Sequence, residues 1–233
     1  MSKIYIGIDN GTSGTIGIVG DSISPIFVHT PVKKNLVYYY FRKWQNNGTF
    51  EEILSVLVKK VRVAAGRDES PSLGIIDSRS VKTSHHVDSD RGIDGNKKIK
   101  GRKEHIVTDV LGLPLALVIH AANIFFFLCA KMVFENLAFK YPRLKTILAD
   151  GGYRGDGLAQ MAKRYGWNLS VVLRPDESSK KFSVIPKRWI VERTFSWVEN
   201  CRRLALDFEF LSESALAMLQ TSFIMLLLNK LFK

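Results

Sequence analysis

Three acidic residues carry the chemistry that this sequence could perform, because each lies where the local sequence would hold a carboxylate in place. Asp77 closes the apolar run 73–76 and Asp150 closes the apolar run 147–149, so we predict both at the ends of buried strands. Glu192 lies in an amphipathic stretch that predicts a helix. Three such carboxylates on a basic chain could supply hard oxygen ligands for a pair of magnesium ions, as phosphodiester cleavage requires.

The three acids are far apart along the chain, so only the fold could bring them together. Strand ends that meet at one edge of a sheet would do so. Any single acid could instead serve a turn or a helix cap, and for Asp77 the two interpretations are balanced. Arg188 precedes Glu192 by one helical turn, which predicts either a surface ion pair or an arginine that holds a DNA phosphate beside the metal.

The composition predicts a folded protein with a polyanionic partner. A chain of 233 residues with 46% hydrophobic residues is long and apolar enough for one sizeable core. Its 34 lysines and arginines exceed its 22 acidic residues and give a net charge of +12, which favours nucleic acid as the partner.

Cysteine usage and the termini indicate a cytoplasmic protein. Cys129 and Cys201 lack a CxxC partner or a histidine cluster in sequence, so neither a zinc site nor a disulfide framework is predicted, and a reducing compartment fits. No signal peptide is predicted at the amino terminus. The apolar stretch 215–232 is interrupted by polar residues, and we predict a buried helix there rather than a membrane span.

Positive charge recurs beside the acidic positions. A dense basic run precedes a predicted hairpin, and its candidate DNA contacts are Lys97, Lys98, Lys100, Arg102 and Lys103. A second basic cluster covers residues 180–188, just ahead of Glu192. The alternative for the first run is a solvated hairpin face, but the net charge favours contact with a DNA backbone.

The order of the predicted elements is that of an α/β protein with three parts. Residues 1–34 are predicted as a β-hairpin leader, and residues 35–66 as a helical hairpin whose aromatic residues pack inward. Residues 67–233 predict a mixed sheet flanked by helices, in which three strands joined by hairpins precede strands reached through helices.

Six ordered motifs resemble those of bacterial DDE transposases of the insertion-sequence-five group, over about residues 37–232. Each motif alone is weak, whereas the ordered set is specific. The motifs are Asp77-Ser78-Arg79-Ser80-Val81-Lys82-Thr83, the basic stretch 95–103, Asp109-Val110-Leu111-Gly112-Leu113-Pro114, Ala121-Ala122-Asn123, Ala149-Asp150-Gly151-Gly152-Tyr153-Arg154-Gly155 and Val191-Glu192-Arg193-Thr194-Phe195.

The resemblance implies a fold, a site and a set of partners. The fold is RNase H-like, and Asp77, Asp150 and Glu192 are the implied catalytic, metal-binding triad for Mg²⁺ or Mn²⁺. The implied activity is cutting and joining of strands in double-stranded DNA at the ends of the element, in the bacterial cytoplasm at the nucleoid. A homodimer on DNA is implied, and Arg188 and Arg193 join the expected DNA contacts.

The chain departs from the family pattern at three places. Residues 125–128 are Phe-Phe-Phe-Leu where a polar, acid-containing segment is common, Ile185 stands where a tyrosine is often found, and Glu199 stands where a lysine is. A negative side chain two turns after Glu192 would repel a phosphate. An inactive or truncated copy, which binds DNA without cutting it, is therefore an alternative to an active transposase.

The leader has a pattern of its own. Residues 6–19 are similar to the opening hairpin of Holliday-junction resolvases, and also to the first phosphate loop of actin-like sugar kinases. Asp9 would be the catalytic or magnesium-linked acid in either case. A resolvase-like nuclease that uses Asp9 is a second alternative, and a hairpin in which Asp9 serves only the turn is the simpler interpretation.

Overall fold

The computed structural model describes residues 4–8, 15–20, 23–29, 36–87, 90–172 and 187–232. The chain divides into two compact units, one of Met1–Arg67 with Gln220–Lys233 and one of Asp68–Leu219. Asp9, Ile185 and most of the second basic cluster lie outside the described residues.

The first unit contains a three-stranded sheet and a helical hairpin. Strands β1 (Ile4–Ile8), β2 (Thr15–Gly20) and β3 (Ile23–His29) pair antiparallel in chain order. Helices α1 (Leu36–Asn46) and α2 (Thr49–Ala64) follow. They separate at Gly48, whose φ of 78° is left-handed and suits glycine.

Four of the five aromatic residues of α1 do not pack inward, and the prediction was wrong for them, whereas Phe41 is half-buried with its ring centre 5.6 Å from that of Phe50. Tyr38, Tyr39, Tyr40 and Trp44 are all exposed, whereas α2 buries a stripe at helical spacing. That stripe consists of Phe50, Leu54, Leu57, Val58 and Val61. The short hairpin offers too little apolar surface to cover every ring, so α2 takes the buried positions.

The second unit is built on a six-stranded mixed sheet. Its strands are β4 (Leu73–Lys82), β5 (Gly92–Asp94), β6 (Ile99–Thr108), β7 (Pro114–Ala121), β8 (Thr146–Ala149) and β9 (Asn168–Val171). Its helices are α3 (Phe126–Leu137), α4 (Asp156–Arg164), α5 (Arg188–Glu199) and α6 (Ser212–Leu231), of which α6 continues into the first unit.

The strand order explains why the predicted pattern changes halfway along the chain. β6 lies between β4 and the hairpin partners β5 and β7, all antiparallel, while β8 and β9 extend the sheet in parallel on the other side of β4. Parallel neighbours need crossover connections, which α3 and α4 supply. This curled mixed sheet with flanking helices is the RNase H-like arrangement that was predicted.

β4 is longer than the sequence predicts, which corrects the placement of Asp77. The sequence predicted that the strand ends at Asp77, but residues 78–82 continue it and pair with β6 through Lys82. Two of their polar side chains bind within the sheet, since Arg79 Nε donates to Glu104 and Ser80 Oγ donates to Asp94. Asp77 therefore lies inside a strand rather than at its end.

Helices cover both faces of this sheet. Side chains alternate along β6, so His105 and Glu104 point to opposite faces. α3 packs on the face of His105, and α5 packs against β4 and β6 on the face of Glu104. Strand residues on both faces of the sheet are buried beneath these helices, including Ile75, Ile76, Ile106, Val107 and Ile147.

α6 is long and apolar enough to cross a membrane by length and composition alone. Core helices pass the same test. Ala217, Leu219 and Phe223 of α6 are almost completely buried within the protein. The helix thus gives only weak support for a membrane protein.

Candidate active site

Asp77 and Asp150 lie on neighbouring parallel strands. β4 and β8 pair from Leu73 with Thr146 to Ile75 with Leu148, and the same offset two residues further on places Asp77 opposite Asp150. β8 ends at Ala149, whereas β4 continues to Lys82. The register therefore directs both acids towards the notch, the region beside β4 where β8 ends.

Tyr153 is a buried phenol in the 3₁₀ turn that follows Asp150. Burial raises the pKa of this phenol well above its ordinary value, and the negative charges of Asp77 and then Asp150 raise it further.

Each aspartate is oriented by its own backbone. Asp77 Oδ1 accepts a hydrogen bond from the Ser78 amide at 2.7 Å, and Asp150 Oδ1 accepts one from the Gly152 amide at 3.0 Å. Asp150 thereby caps the 3₁₀ turn Gly151–Tyr153. A carboxylate held by an amide keeps one orientation, which suits a ligand.

Glu192 lies on the flank of α5 that faces Asp77's side of the sheet. Alternation along β4 puts Asp77 and Arg79 on one face, and Arg79 stacks 5.6 Å from the Phe195 ring centre of α5. Arg79 Nη1 also lies 3.6 Å from Glu199 Oε1. Glu192 shares its flank with Phe195 and Glu199 by helical spacing, and its side chain is exposed.

The turn between β6 and β7 fixes α5, a role that the sequence analysis missed. Asp109 Oδ1 accepts hydrogen bonds from the amides of Leu111 and Leu113, at 2.9 and 2.8 Å. Thr194 Oγ1 donates to Gly112 O at 2.9 Å. Gly112 has φ 82°, and a Cβ there would lie 2.8 Å from Thr194 Oγ1. The turn therefore needs glycine both for its backbone and for the close approach of α5.

Arg193 helps to clamp the same turn. Its guanidinium lies between two rings of α5, 4.7 Å from the Trp189 centre and 5.0 Å from the Trp197 centre. Its Nη2 donates to Leu111 O at 3.0 Å. Sequence reasoning expected Arg193 to face DNA, whereas the observed contacts are those of a side chain that positions a helix.

Arg102 was predicted to contact DNA, and that prediction was wrong. The residue is completely buried, and its guanidinium donates to four acceptors within the protein. They are Asp207 Oδ2, Glu209 O and Phe210 O at 2.8 Å each and Asp90 O at 3.1 Å. Only residues facing outward from β6 can reach a phosphate, and position 102 faces inward.

The other members of the basic run differ in their exposure. Lys97, Lys98 and Lys100 are exposed. Lys103 is mostly covered and its Nζ lies 3.1 Å from Asp94 Oδ2. Arg188 begins α5, so its backbone stands one turn before Glu192. The exposed lysines remain available for a polyanion.

A buried acid beside the site was also missed. Glu104 is almost completely buried on the α5 face, where Arg79 Nε donates to its Oε2 at 2.7 Å. Burial raises the pKa of Glu104 although the Arg79 charge opposes the shift. Arg79 thus lies between Glu104 and Glu199, and the unexpected Glu199 has a cationic partner. The alternating Ser-Arg-Ser sequence after Asp77 was the available signal that β4 continues.

The mixed sheet with its flanking helices is an RNase H-like fold. The family model "Transposase DDE domain" matches residues 68–228, well over half of the chain. The chain belongs to this transposase family, whose members generally depend on divalent metals and act on DNA.

One curated relative supports the assignment. The chain is 28% identical over 116 residues to a putative transposase for insertion sequence element IS402 from Burkholderia cepacia. The match covers 47% of this chain and 54% of the relative, so the chain spans about half the length of the curated protein that it matches.

Proposed function

We propose that this protein is a DNA strand transferase of the insertion-sequence-five group, which cuts and rejoins DNA at the ends of a mobile element. The observation that carries the proposal is the register of β4 and β8, which pairs Ile75 with Leu148 and, if continued by two residues, sets Asp77 opposite Asp150. Family membership supports the reaction class. Glu192 completes the proposed triad from the facing flank of α5.

The donor set fits a divalent ion of the hard type. Asp77, Asp150 and Glu192 offer carboxylate oxygens, which Mg²⁺ and Mn²⁺ prefer, and they would hold the metal at the notch. When bound, such ions polarise the scissile phosphate and lower the pKa of an attacking water or hydroxyl.

The chain's own contribution is to hold these oxygens still. The amides of Ser78 and Gly152 fix one oxygen on each aspartate, so less reorganisation is needed when substrate arrives. The hydrogen bond from Thr194 to the carbonyl of Gly112 holds α5 against the turn and so limits the positions that the backbone of Glu192 can take. A displacement of about 1 Å at such a site can lower the rate roughly 100-fold, so contacts that hold the carboxylates in place matter for activity.

The proposed partner is double-stranded DNA at the element's ends, bound by a homodimer in the bacterial cytoplasm. Lys97, Lys98 and Lys100 are exposed together at the start of β6, on a chain of net charge +12. Each phosphate that a lysine neutralises releases counterions, so binding should weaken steeply with salt. Arg188, one turn before Glu192, is a further proposed DNA contact.

The direct test uses a plasmid that carries the DNA flanking the gene, with Mn²⁺ present. We expect strand cleavage by the wild-type chain and a loss of at least about 100-fold in Asp77→Ala, Asp150→Ala and Glu192→Ala, with DNA binding retained. Asp156→Ala is the matched control, because Asp156 is an exposed acid a few residues beyond Asp150.

The same assay separates the alternatives. Cleavage that survives Asp77→Ala but is lost in Asp9→Ala would replace this proposal with a resolvase-like nuclease. Salt-sensitive DNA binding without any metal-dependent cutting by the wild-type chain would show a DNA-binding protein that has lost its chemistry. Replacement of the usual lysine by Glu199 is the observation that favours this second outcome.

A further inference from the structure

Two histidines and a cysteine form a buried cluster on the sheet face opposite α5. His105 comes from β6, His120 from β7 and Cys129 from α3. One ring nitrogen of each histidine and the sulfur of Cys129 all lie within 4.8 Å of one another. All three residues are buried, and the two imidazole centres are 4.9 Å apart.

Both imidazoles are held in the neutral state that a metal ligand requires. Burial lowers the pKa of His105 to about 3, with smaller contributions from His120 and Lys103. Burial likewise lowers the pKa of His120. Neutral rings carry a lone pair on one nitrogen, so the cluster offers two nitrogen donors beside a sulfur.

His120 Nδ1 lies 2.8 Å from Ala121 O and 3.8 Å from the Cys129 sulfur. Because Ala121 O is an acceptor, Nδ1 carries the proton and Nε2 carries the lone pair, as in ligating histidines that donate an outer hydrogen bond. Among the described residues, the buried Nε2 has no hydrogen-bond partner. A buried acceptor without a donor costs about 1–3 kcal/mol, and a cation would remove that cost.

We propose that His105, His120 and Cys129 bind a Zn²⁺-like cation that is separate from the carboxylate site. Two imidazoles and a thiolate select borderline-soft metals, whereas Mg²⁺ and Mn²⁺ prefer the oxygens of Asp77 and Asp150. The Cys129 thiol releases its proton to solvent on binding. Without a metal, burial raises the pKa of this thiol to about 11.

Such a cation would tie three elements together directly behind the candidate active site. His105 Nδ1 lies 3.0 Å from the hydroxyl of Tyr153, the residue that the charges of Asp77 and Asp150 reach. Three protein ligands leave one position of a tetrahedral zinc ion open for a small ligand. The sequence did not predict the site because its ligands come from three elements rather than from one motif.

Cobalt is the probe, because a thiolate bound to Co²⁺ gives a charge-transfer band that carboxylate ligands do not give. The full chain is titrated with Co²⁺, and we expect this band to saturate at about one equivalent. Cys129→Ala should abolish the band. Cys201→Ala, which removes the other free cysteine, should keep it.

Two further measurements keep the test decisive. Circular dichroism melting shows whether Cys129→Ala is folded. In a second variant, His120→Gln, the affinity for Co²⁺ measured from this band should fall by at least about tenfold. Zn²⁺ should displace Co²⁺ and raise the melting temperature of the wild-type chain. Absence of the band in the wild-type chain, or its persistence in folded Cys129→Ala, would overturn the proposal and leave the three residues as a core cluster.

Discussion

Replacement of Arg102 by alanine should lower the stability of the second unit far more than replacement of an exposed lysine nearby. The guanidinium is completely buried and donates to Asp207, Glu209 O, Phe210 O and Asp90 O. The alanine variant would leave the Asp207 carboxylate, which is 9% exposed, without this cation. It would also leave three carbonyl groups without their donor.

The expected loss of stability follows from these contacts. Removing one partner of a buried ion pair costs about 3–5 kcal/mol, because the other charge stays buried. For a domain of this size, 1 kcal/mol corresponds to roughly 2–4 °C in melting temperature. The melting temperature of Arg102→Ala should therefore fall by roughly 6–20 °C.

Urea unfolding followed by circular dichroism measures the change. Lys100→Ala is the matched control, since Lys100 is exposed on the same strand and should change stability by less than about 0.5 kcal/mol. Lys100→Ala should instead weaken DNA binding and flatten its salt dependence. If Arg102→Ala were as stable as the wild-type chain, or lost only DNA affinity, the reasoning from burial would be refuted.

Three other perturbations test separate parts of the account. In EDTA the wild-type chain should lose stability as the pH falls from about 6.5, the ordinary histidine value, towards 3, because unfolding lets His105 take up a proton. The loss in the free energy of unfolding by about pH 5 is ~2 kcal/mol, and it should be smaller in His105→Gln. Equal losses in the two proteins would contradict the lowered pKa of His105. Glu199 has a side chain that is 64% exposed, so Glu199→Lys should change the free energy of unfolding by less than about 1 kcal/mol. The added positive charge should tighten DNA binding and steepen its salt dependence. Unchanged binding in a filter assay would show that DNA lies away from α5. Gly112→Ala should destabilise the protein by about 1–3 kcal/mol more than Gly166→Ala. Gly166 has a similar φ of 77°, but a Cβ there would have nothing within 4 Å. Equal melting temperatures of the two variants would show that the turn at Gly112 does not depend on close packing against α5.

The two strands that precede Asp77 and Asp150 could be anticipated because two short apolar runs each end in an acid. Local patterns identify such strands, and the resemblance supplied their order. The extent of β4 was missed, although the alternation of Ser78, Arg79 and Ser80 was its signal in the sequence. Serines are common in loops, and here their places in a strand depend on pairing with β6 and on the hydrogen bond from Ser80 to Asp94 of β5.

Arg102 shows why charge runs are poor guides to individual contacts. Lys100 and Arg102 are two positions apart, so alternation along β6 predicts the same face for both, yet Lys100 is exposed and Arg102 is completely buried. The acceptors of Arg102 lie about a hundred positions later in the chain, at Asp207 and Phe210. No local pattern could have revealed them.

Mn²⁺ titration followed by electron paramagnetic resonance shows whether Asp77 and Asp150 hold one divalent ion between them. We expect Asp77→Asn and Asp150→Asn each to weaken Mn²⁺ binding by at least about tenfold and the double variant to be little worse than either. Asp156→Asn should bind Mn²⁺ like the wild-type chain. Wild-type Mn²⁺ affinity in both single variants would contradict a site shared by the two aspartates.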